Sequence, residues 1–401
     1  MIGKDKIISV VDRIMEYFLY GLIFFIPISK AAIESFFTLL LLLFLTKKFL
    51  RPDFKFLRSP LHFLLLFFLL FSALSLLNSG PYLKKSFIAL FFKWAEYIFV
   101  FLITQDVLFN RRRIRNTIFI FSCAAFLVSF DGLFQFFAET DFLRHRQLAY
   151  VVNHLSAITA SFQHYNDFGT YLVMSFVVVA SLLLEEHKKA IYEIFLWVAL
   201  MFIEMCLVLT FSRGSWLNLF VASTLILLLS KEPKKVLTML TIFIIVFITI
   251  PLAKDKIMFS FHPQGDADRF VVWRAAFSMI KEHPFLGKGV GTFMAYFRDY
   301  SNKNIQYAHN CFLQIWAESG IFSLISFLSF LGFLLWGAIA AFTKNRNFII
   351  LGIFAGLSGF LVHSFFDTHF YSLQLSALFW MMAGVLQALV NIETASNKGE
   401  I

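Results

Sequence analysis

Apolar residues in this chain come in blocks of about twenty, the length an α-helix needs to cross a bilayer, and polar residues gather in the joints between them. Reading for such blocks gives about twelve spans, near residues 14–29, 31–46, 59–77, 86–106, 117–138, 166–184, 191–210, 215–230, 236–253, 319–342, 348–366 and 371–390. The first two are short and meet at a turn over Pro27 to Lys30. One joint breaks the rhythm: from Lys254 to Glu318 the chain stays polar far longer than a connection between neighbouring helices requires. The pattern predicts an all-α polytopic integral membrane protein. Spans one to nine occupy 1–253, the large loop 254–318 and spans ten to twelve 319–390, with a polar tail over 391–401 that reads as disordered.

Inside the loop the pattern turns partly helical. Asp268 is a good N-cap for a helix across 269–282, on which Arg269, Trp273, Ala276 and Ile280 share a face. Pro284 ends it, and Gly287, Gly289 and Gly291 form a flexible turn. A short second helix fits 292–300, and a third begins near Ala308 and runs into the tenth span.

Composition agrees with a membrane protein. The 401 residues are 59% hydrophobic, against about 45–50% in soluble domains, and the 56 phenylalanines have to face lipid or fill gaps between helices. The net charge of +10 would suggest nucleic acid in a soluble protein; here it fits loops facing anionic headgroups, with no nucleic-acid partner. Cys123 and Cys206 fall in apolar runs, and with Cys311 they offer neither a metal nor a disulfide spacing. No small-residue cleavage site follows the first apolar run, so the first helix reads as retained. Lys and Arg set the orientation. With the N-terminus inside, the short inner segments hold twenty and the short outer ones, Lys84 and Lys85 among them, hold six. Both termini are then cytoplasmic and the large loop lies on the far side.

The candidate chemistry gathers at that outer face. Arg213 sits in a Ser212-Arg213-Gly214 turn where backbone can approach a ligand closely, and a guanidinium fork fits phosphate oxygens. The plainer role is a cation snorkelling to headgroups. Arg269 and Arg274 lie on the first loop helix and suit a second clamp on the same anion, or an interfacial anchor beside Trp273. His309, next to Asn310, stands at a helix start. The positive end of the dipole and nearby arginines there disfavour the imidazolium, moving the ring below its reference of about 6.5 and leaving it able to act as a general base. Asp266-Ala267-Asp268 has the form many nucleotide-sugar transferases use to hold a metal, but capping accounts for Asp268. The glycine run lacks a Gly-Lys-Ser/Thr ending and is no phosphate-cradling loop. His363, Asp367 and His369 could bind a metal in principle, but their spacing crosses a helix end. The reading therefore calls for no metal and no cofactor. The segment 139–166 adds His145, His154 and His164, none with an assigned role.

These residues carry a resemblance. Phe211-Ser212-Arg213-Gly214-Ser215-Trp216-Leu217 resembles the Ser-Arg-Gly-x-Trp segment of the O-antigen ligase and O-antigen polymerase superfamily. Arg269-x-x-x-Trp273, then Glu282-His283-Pro284-Phe285-Leu286-Gly287-x-Gly289-Val290-Gly291, is similar to its large periplasmic loop. Ala308-His309-Asn310-x-Phe312-Leu313-Gln314 with Glu318-Ser319-Gly320-Ile321 matches its most recognisable signature, and Tyr165-Asn166-Asp167-Phe168-Gly169 a weaker one upstream. The resemblance implies a metal-independent, inverting glycosyltransferase of the bacterial inner membrane with its active site on the periplasmic face. The donor would be a glycan on undecaprenyl diphosphate. In the ligases the acceptor is a sugar hydroxyl of lipid A–core; in the polymerases it is another lipid-linked glycan. Arg213 and Arg269 would hold the diphosphate and His309 would activate the acceptor. Arg274 matches no family position; it, Asn310 and Glu318 are supporting candidates, and Glu318 is first in line as base should His309 only position the acceptor. Ligation to a protein is less favoured because no extra C-terminal domain is present. A transporter or flippase of lipid-linked glycans would require charges at mid-membrane and broken helices repeated in two halves, and the sequence has neither.

The orientation is testable. Reporter fusions after Lys235 and Lys344 are expected to read cytoplasmic and one near Lys303 periplasmic; a cytoplasmic signal at Lys303 would reverse the placement of every candidate residue.

Overall fold

The computed structural model describes residues 2–53, 59–152, 155–186, 189–250, 267–301 and 307–397. Each of the twelve apolar blocks is helical. They form α1 (Ile2–Phe25), α2 (Lys30–Leu50), α3 (Pro60–Leu74), α4 (Leu83–Ala89) running through a π turn at Leu90–Trp94 into α5 (Ala95–Val107), and α6 (Arg111–Ala138). After them come α7 (Tyr165–Leu184), α8 (Ala190–Leu209), α9 (Arg213–Ser230) and α10 (Pro233–Thr249). The large loop supplies α11 (Ala267–Glu282) and α12 (Phe293–Tyr296), and α13 (Cys311–Asn345), α14 (Phe348–His363) and α15 (Leu373–Asn397) complete the chain. Among the described residues eight helical stretches are long and apolar enough to cross a membrane. α14 and α10 fall short in length, at 16 and 17 residues. α1 and α2 carry more charge than a simple span, including Asp5, Asp12, Glu34, Lys47 and Lys48.

Burial decides which helices form the centre. A helix that is apolar all round belongs inside a bundle. In α7 and α15, 94% and 83% of the apolar window is buried against other helices, whereas in α3 only 33% is. α14 packs against α7 and α9, α15 against α5, α3 against α13, and α1 against α2 and α6. Phenylalanine serves both expected uses: Phe68, Phe101, Phe327 and Phe330 interlock inside, while Phe49, Phe92, Phe137 and Phe220 point outward.

The two ends of the bundle are built differently. At one, ion pairs tie helices together: Lys47 to Asp12 and Asp106 (2.6 and 2.5 Å), Arg113 to Glu16 (2.8 Å) and Arg111 to Glu393 (3.0 Å). This corrects the reading of the tail over 391–397; 398–401 lie outside the described residues. α15 continues to Asn397 because Glu393 also accepts from Asn347 (3.0 Å), so the polar residues 391–397 have partners that order them.

At the other end the polar joints supply caps and the large loop folds down. Ser29, Ser212 and Asn310 each cap the following helix by accepting a backbone N–H, from Ala32, Ser215 and Leu313. Asp268 does not occupy the expected cap position: α11 begins at Ala267, which puts Asp268 in its first turn, and Asp266 lies outside the described residues. The third loop helix starts at Cys311 rather than Ala308, because the Asn310 side chain takes the cap position. The joint after α6 contains an antiparallel hairpin, Ala149–Val152 with Leu155–Ala157, a small departure from the all-helical expectation.

Val272, Ala276, Met279, Phe293 and Phe297 form a satellite core that α11 and α12 share with the start of α13. The glycine run then lies along α13 where that helix breaks at Gly320: Lys288 N donates to Ala317 O (3.0 Å), Gly289 N to Glu318 O (2.8 Å) and Ile321 N to Pro284 O (3.0 Å). Gly320 has φ +80°, and a Cβ there would strike the Phe285 carbonyl. Gly320→Ala should therefore cost about 1–3 kcal/mol and lower the thermal midpoint in detergent while leaving membrane insertion intact. An unchanged midpoint would mean that the loop is not held this tightly.

Candidate functional site

The expected site residues come from separate helix ends. Arg213 is the first residue of α9. Phe211, two positions earlier, has φ +48°, a conformation costly for a bulky residue, and it directs the chain into the Ser212 cap. Gly214 leaves room for His363: any Cβ there would collide with its Nε2. Arg269 is half-buried on α11. The two arginines, with Tyr165, Asn166, His363 and Asp367, line a cleft of about 210 Å³. Arg274 is exposed and does not line it.

His309 precedes the Asn310 cap in a left-handed conformation, φ +48°. Strain of this kind costs of order 1–3 kcal/mol and persists only where the surroundings enforce it. Here Trp273 Nε1 donates to the Ala308 carbonyl (3.1 Å), Gln314 accepts from Ala308 N (3.0 Å), and Cys311 N donates to Ser364 O (2.9 Å). His309 faces a second, larger cavity of about 620 Å³ that it shares with Glu34, Glu96, Tyr307 and Tyr371.

Asp367 joins the two spaces. It and Asn166 line both the arginine cleft and the histidine cavity. Asp367 Oδ1 lies 3.6 Å from His309 Nδ1 and accepts from Thr368 N (2.8 Å), while Oδ2 accepts from Asn166 Nδ2 (2.9 Å). Ser212 Oγ donates to Asn166 Oδ1 (2.8 Å). One chain of contacts thus runs from the Arg213 turn through Asn166 and Asp367 to His309. Burial by itself would raise the Asp367 carboxyl. The His309 ring 3.6 Å away, the neighbouring His369 and His363 and the Thr368 amide outweigh burial and hold it well below the usual carboxylate range. A depressed carboxyl adds stability above its unfolded value and loses it only as pH falls through the folded one, so this group is ionised at neutral pH.

Behind Asp367, the Thr170 hydroxyl bridges His363 Nδ1 (3.0 Å) and His369 Nε2 (3.2 Å). Burial lowers His369, against the pull of Asp367 and Asp167. The ligand atoms of His363, Asp367 and His369 lie within 4.8 Å of one another, close enough to hold a metal ion. Thr170 already engages both rings, and Gly214 closes on His363 Nε2. His164 caps α7 through Nδ1, accepting from Asn166 N (3.2 Å), and burial lowers it too.

Glu318 is buried and accepts from Gly291 N (2.8 Å), Phe293 N (3.1 Å), Gln314 Nε2 (3.1 Å) and Tyr371 OH (3.0 Å). With both oxygens occupied it is suited to fastening the loop rather than to taking a substrate proton.

The fold and this site define a polytopic membrane protein with a two-arginine cleft and a histidine cavity meeting at a common wall. Residues 196–328, about a third of the chain, match the O-antigen ligase family. Over those residues the chain is similar to the O-antigen ligases, a family of membrane glycosyltransferase-like enzymes. No curated protein matches it. Arg213, Arg269, Arg274, His309, Asn310 and Glu318 all fall inside the matched residues; Asn166, His363 and Asp367 fall outside.

Glu318→Ala leaves four donors unsatisfied and should destabilise the protein by about 3 kcal/mol or more, seen as a lower thermal midpoint and faster trypsin cleavage in the loop. Lost transfer with unchanged stability would instead make Glu318 a reacting group.

Proposed function

We propose that the protein is an O-antigen ligase. It transfers a glycan from undecaprenyl diphosphate to a sugar hydroxyl of lipid A–core at the periplasmic face of the bacterial inner membrane. The observation that carries this reading is the shared Asn166–Asp367 wall, which sets a cationic cleft suited to a diphosphate against a cavity that holds a histidine. Arg213 and Arg269 bind the donor diphosphate. His309, its Nδ1 turned to Asp367, presents Nε2 to the acceptor and takes the hydroxyl proton. The acceptor oxygen forms its bond to the anomeric carbon from the face opposite the diphosphate. The bond from that carbon to the diphosphate oxygen breaks, its electron pair leaves with the diphosphate, and the arginines neutralise the charge. Attack from the opposite face inverts the anomeric configuration. The arginines do here what a divalent cation does in other glycosyl transfers, so the reaction needs no metal. The polymerase reading uses the same donor site and differs only in the acceptor.

Reconstitution with lipid-linked O-antigen and either lipid A–core or more lipid-linked glycan separates the two. Extension of lipid A–core supports the ligase, and extension of the lipid-linked glycan alone overturns it. Activity should survive excess EDTA; loss that magnesium or manganese restores would bring the His363–Asp367–His369 group and Asp266 into the mechanism. Arg213→Ala and Arg269→Ala should each lower transfer about 100-fold or more and weaken donor binding, and the lysine variants should recover only part because an ammonium lacks the fork. His309→Gln should bind donor normally yet lose about 100- to 10,000-fold in transfer. The wild-type rate should fall in acid, where a histidine base is protonated; a flat profile would reduce His309 to a positioning role.

A further inference from the structure

A third cavity, of about 390 Å³, shares part of its wall with the histidine cavity and none with the arginine cleft. Lys93, Tyr97 and Tyr371 line both spaces. Its other cations are Lys84 and Lys85, on the exposed side of α4. None of the three lysines makes a hydrogen bond or ion pair among the described residues, although every cation in the ion-pair cluster at the opposite end of the bundle is engaged. The surrounding surface is apolar: Leu83, Phe87, Ile88 and Phe91 stand 44–53% exposed beside them. The helix winds into a π turn at Leu90–Trp94, a local irregularity that often marks function. It carries Lys93, while the Trp94 ring is buried against Phe68 and Tyr371. Carboxylates Glu34 and Glu96 line only the histidine cavity, so the lysine cavity is cationic and its neighbour is not.

We propose that Lys84, Lys85 and Lys93 form a subsite for the phosphate groups of the acceptor, a phosphorylated glycolipid whose acyl chains lie along the exposed face of α4. The inference rests on the transferase reading above. Three cavities then stand in sequence, joined by shared walls: donor diphosphate on the arginines, reacting hydroxyl at His309, acceptor phosphate on the lysines. Charge complementarity selects the occupant. An apolar face ending in unpaired ammonium groups fits a lipid with an anionic headgroup, and the cavity's continuity with the reaction space separates a substrate from a bulk phospholipid.

The test is binding, measured apart from turnover. The wild type and Lys84→Gln/Lys85→Gln/Lys93→Gln are placed in nanodiscs of zwitterionic phospholipid and titrated with lipid A–core, intact or enzymatically dephosphorylated. Each lysine should contribute about fivefold, so the triple variant should bind intact lipid A–core roughly 100-fold more weakly. Dephosphorylated lipid A–core should bind both proteins equally weakly, and lipid-linked donor should bind both equally well. Equal affinity of wild type and variant for intact lipid A–core overturns the subsite. So does a loss that is the same for the dephosphorylated lipid, or that anionic phospholipid reproduces by competition, since the lysines would then be headgroup anchors. A wild type that extends lipid A–core while showing no lysine dependence fails only this inference. One that extends lipid-linked glycan alone and does not bind lipid A–core fails the ligase reading and this subsite together.

Discussion

A carboxylate set back from water at the edge of a membrane has to be surrounded by polar partners, and Asp367 collects them from separate elements of the bundle. Asn166 comes from the first turn of α7, His309 from the residue before the α13 cap, and Thr368 from the linker into α15. Through Asn166 the same carboxylate reaches Ser212, whose hydroxyl also caps α9 beside Arg213. The consequence is geometric. Three helix ends that share no sequence neighbourhood are referred to one negative charge, so the arginine turn and the histidine cannot drift independently.

A second constraint holds the large loop. Glu318 plays for the glycine run the part that Asp367 plays for the reaction space, accepting from two backbone amides and two side chains. The glycines and the break at Gly320 let two stretches of backbone lie against each other, and this contact seats α11, and with it Arg269, over the bundle. The site therefore has a fixed wall made by the helix ends and a fitted wall made by the loop. Both are pinned by carboxylates that do not themselves react in the proposed chemistry.

The helices are legible in the sequence because each span is a local pattern, and the blocks near 166–184 and 191–210 reappear almost residue for residue as α7 and α8. Arg213, Arg269 and His309 could be singled out for the same reason: charged groups in an apolar chain are conspicuous. What escaped depends on distant pairing. Asp367 was visible only as part of a doubtful metal trio, because 58 residues separate it from His309. Asn166 lay in a recognised motif without a task, since its partners Ser212 and Asp367 lie 46 and 201 residues away. Glu318 reads as a candidate base in the sequence because its hydrogen bonds come from the loop and from Tyr371, and no local pattern announces them. Lys84 and Lys85 were only counted as outer charges until the fold set them beside a cavity. The tail reads as disordered in the sequence because the partners of Glu393 belong to α6 and the joint before α14.

The account stands on one spatial claim: the donor diphosphate lies in the arginine cleft and its sugar reaches across the Asn166–Asp367 wall to His309. A structure with a non-transferable analogue of the lipid-linked donor measures this directly. The account predicts diphosphate oxygens within hydrogen-bond reach, about 2.7–3.2 Å, of both Arg213 and Arg269, with the anomeric carbon open to the His309 cavity on the face opposite the diphosphate. A diphosphate bound away from both arginines, or an anomeric carbon turned from His309, would contradict it.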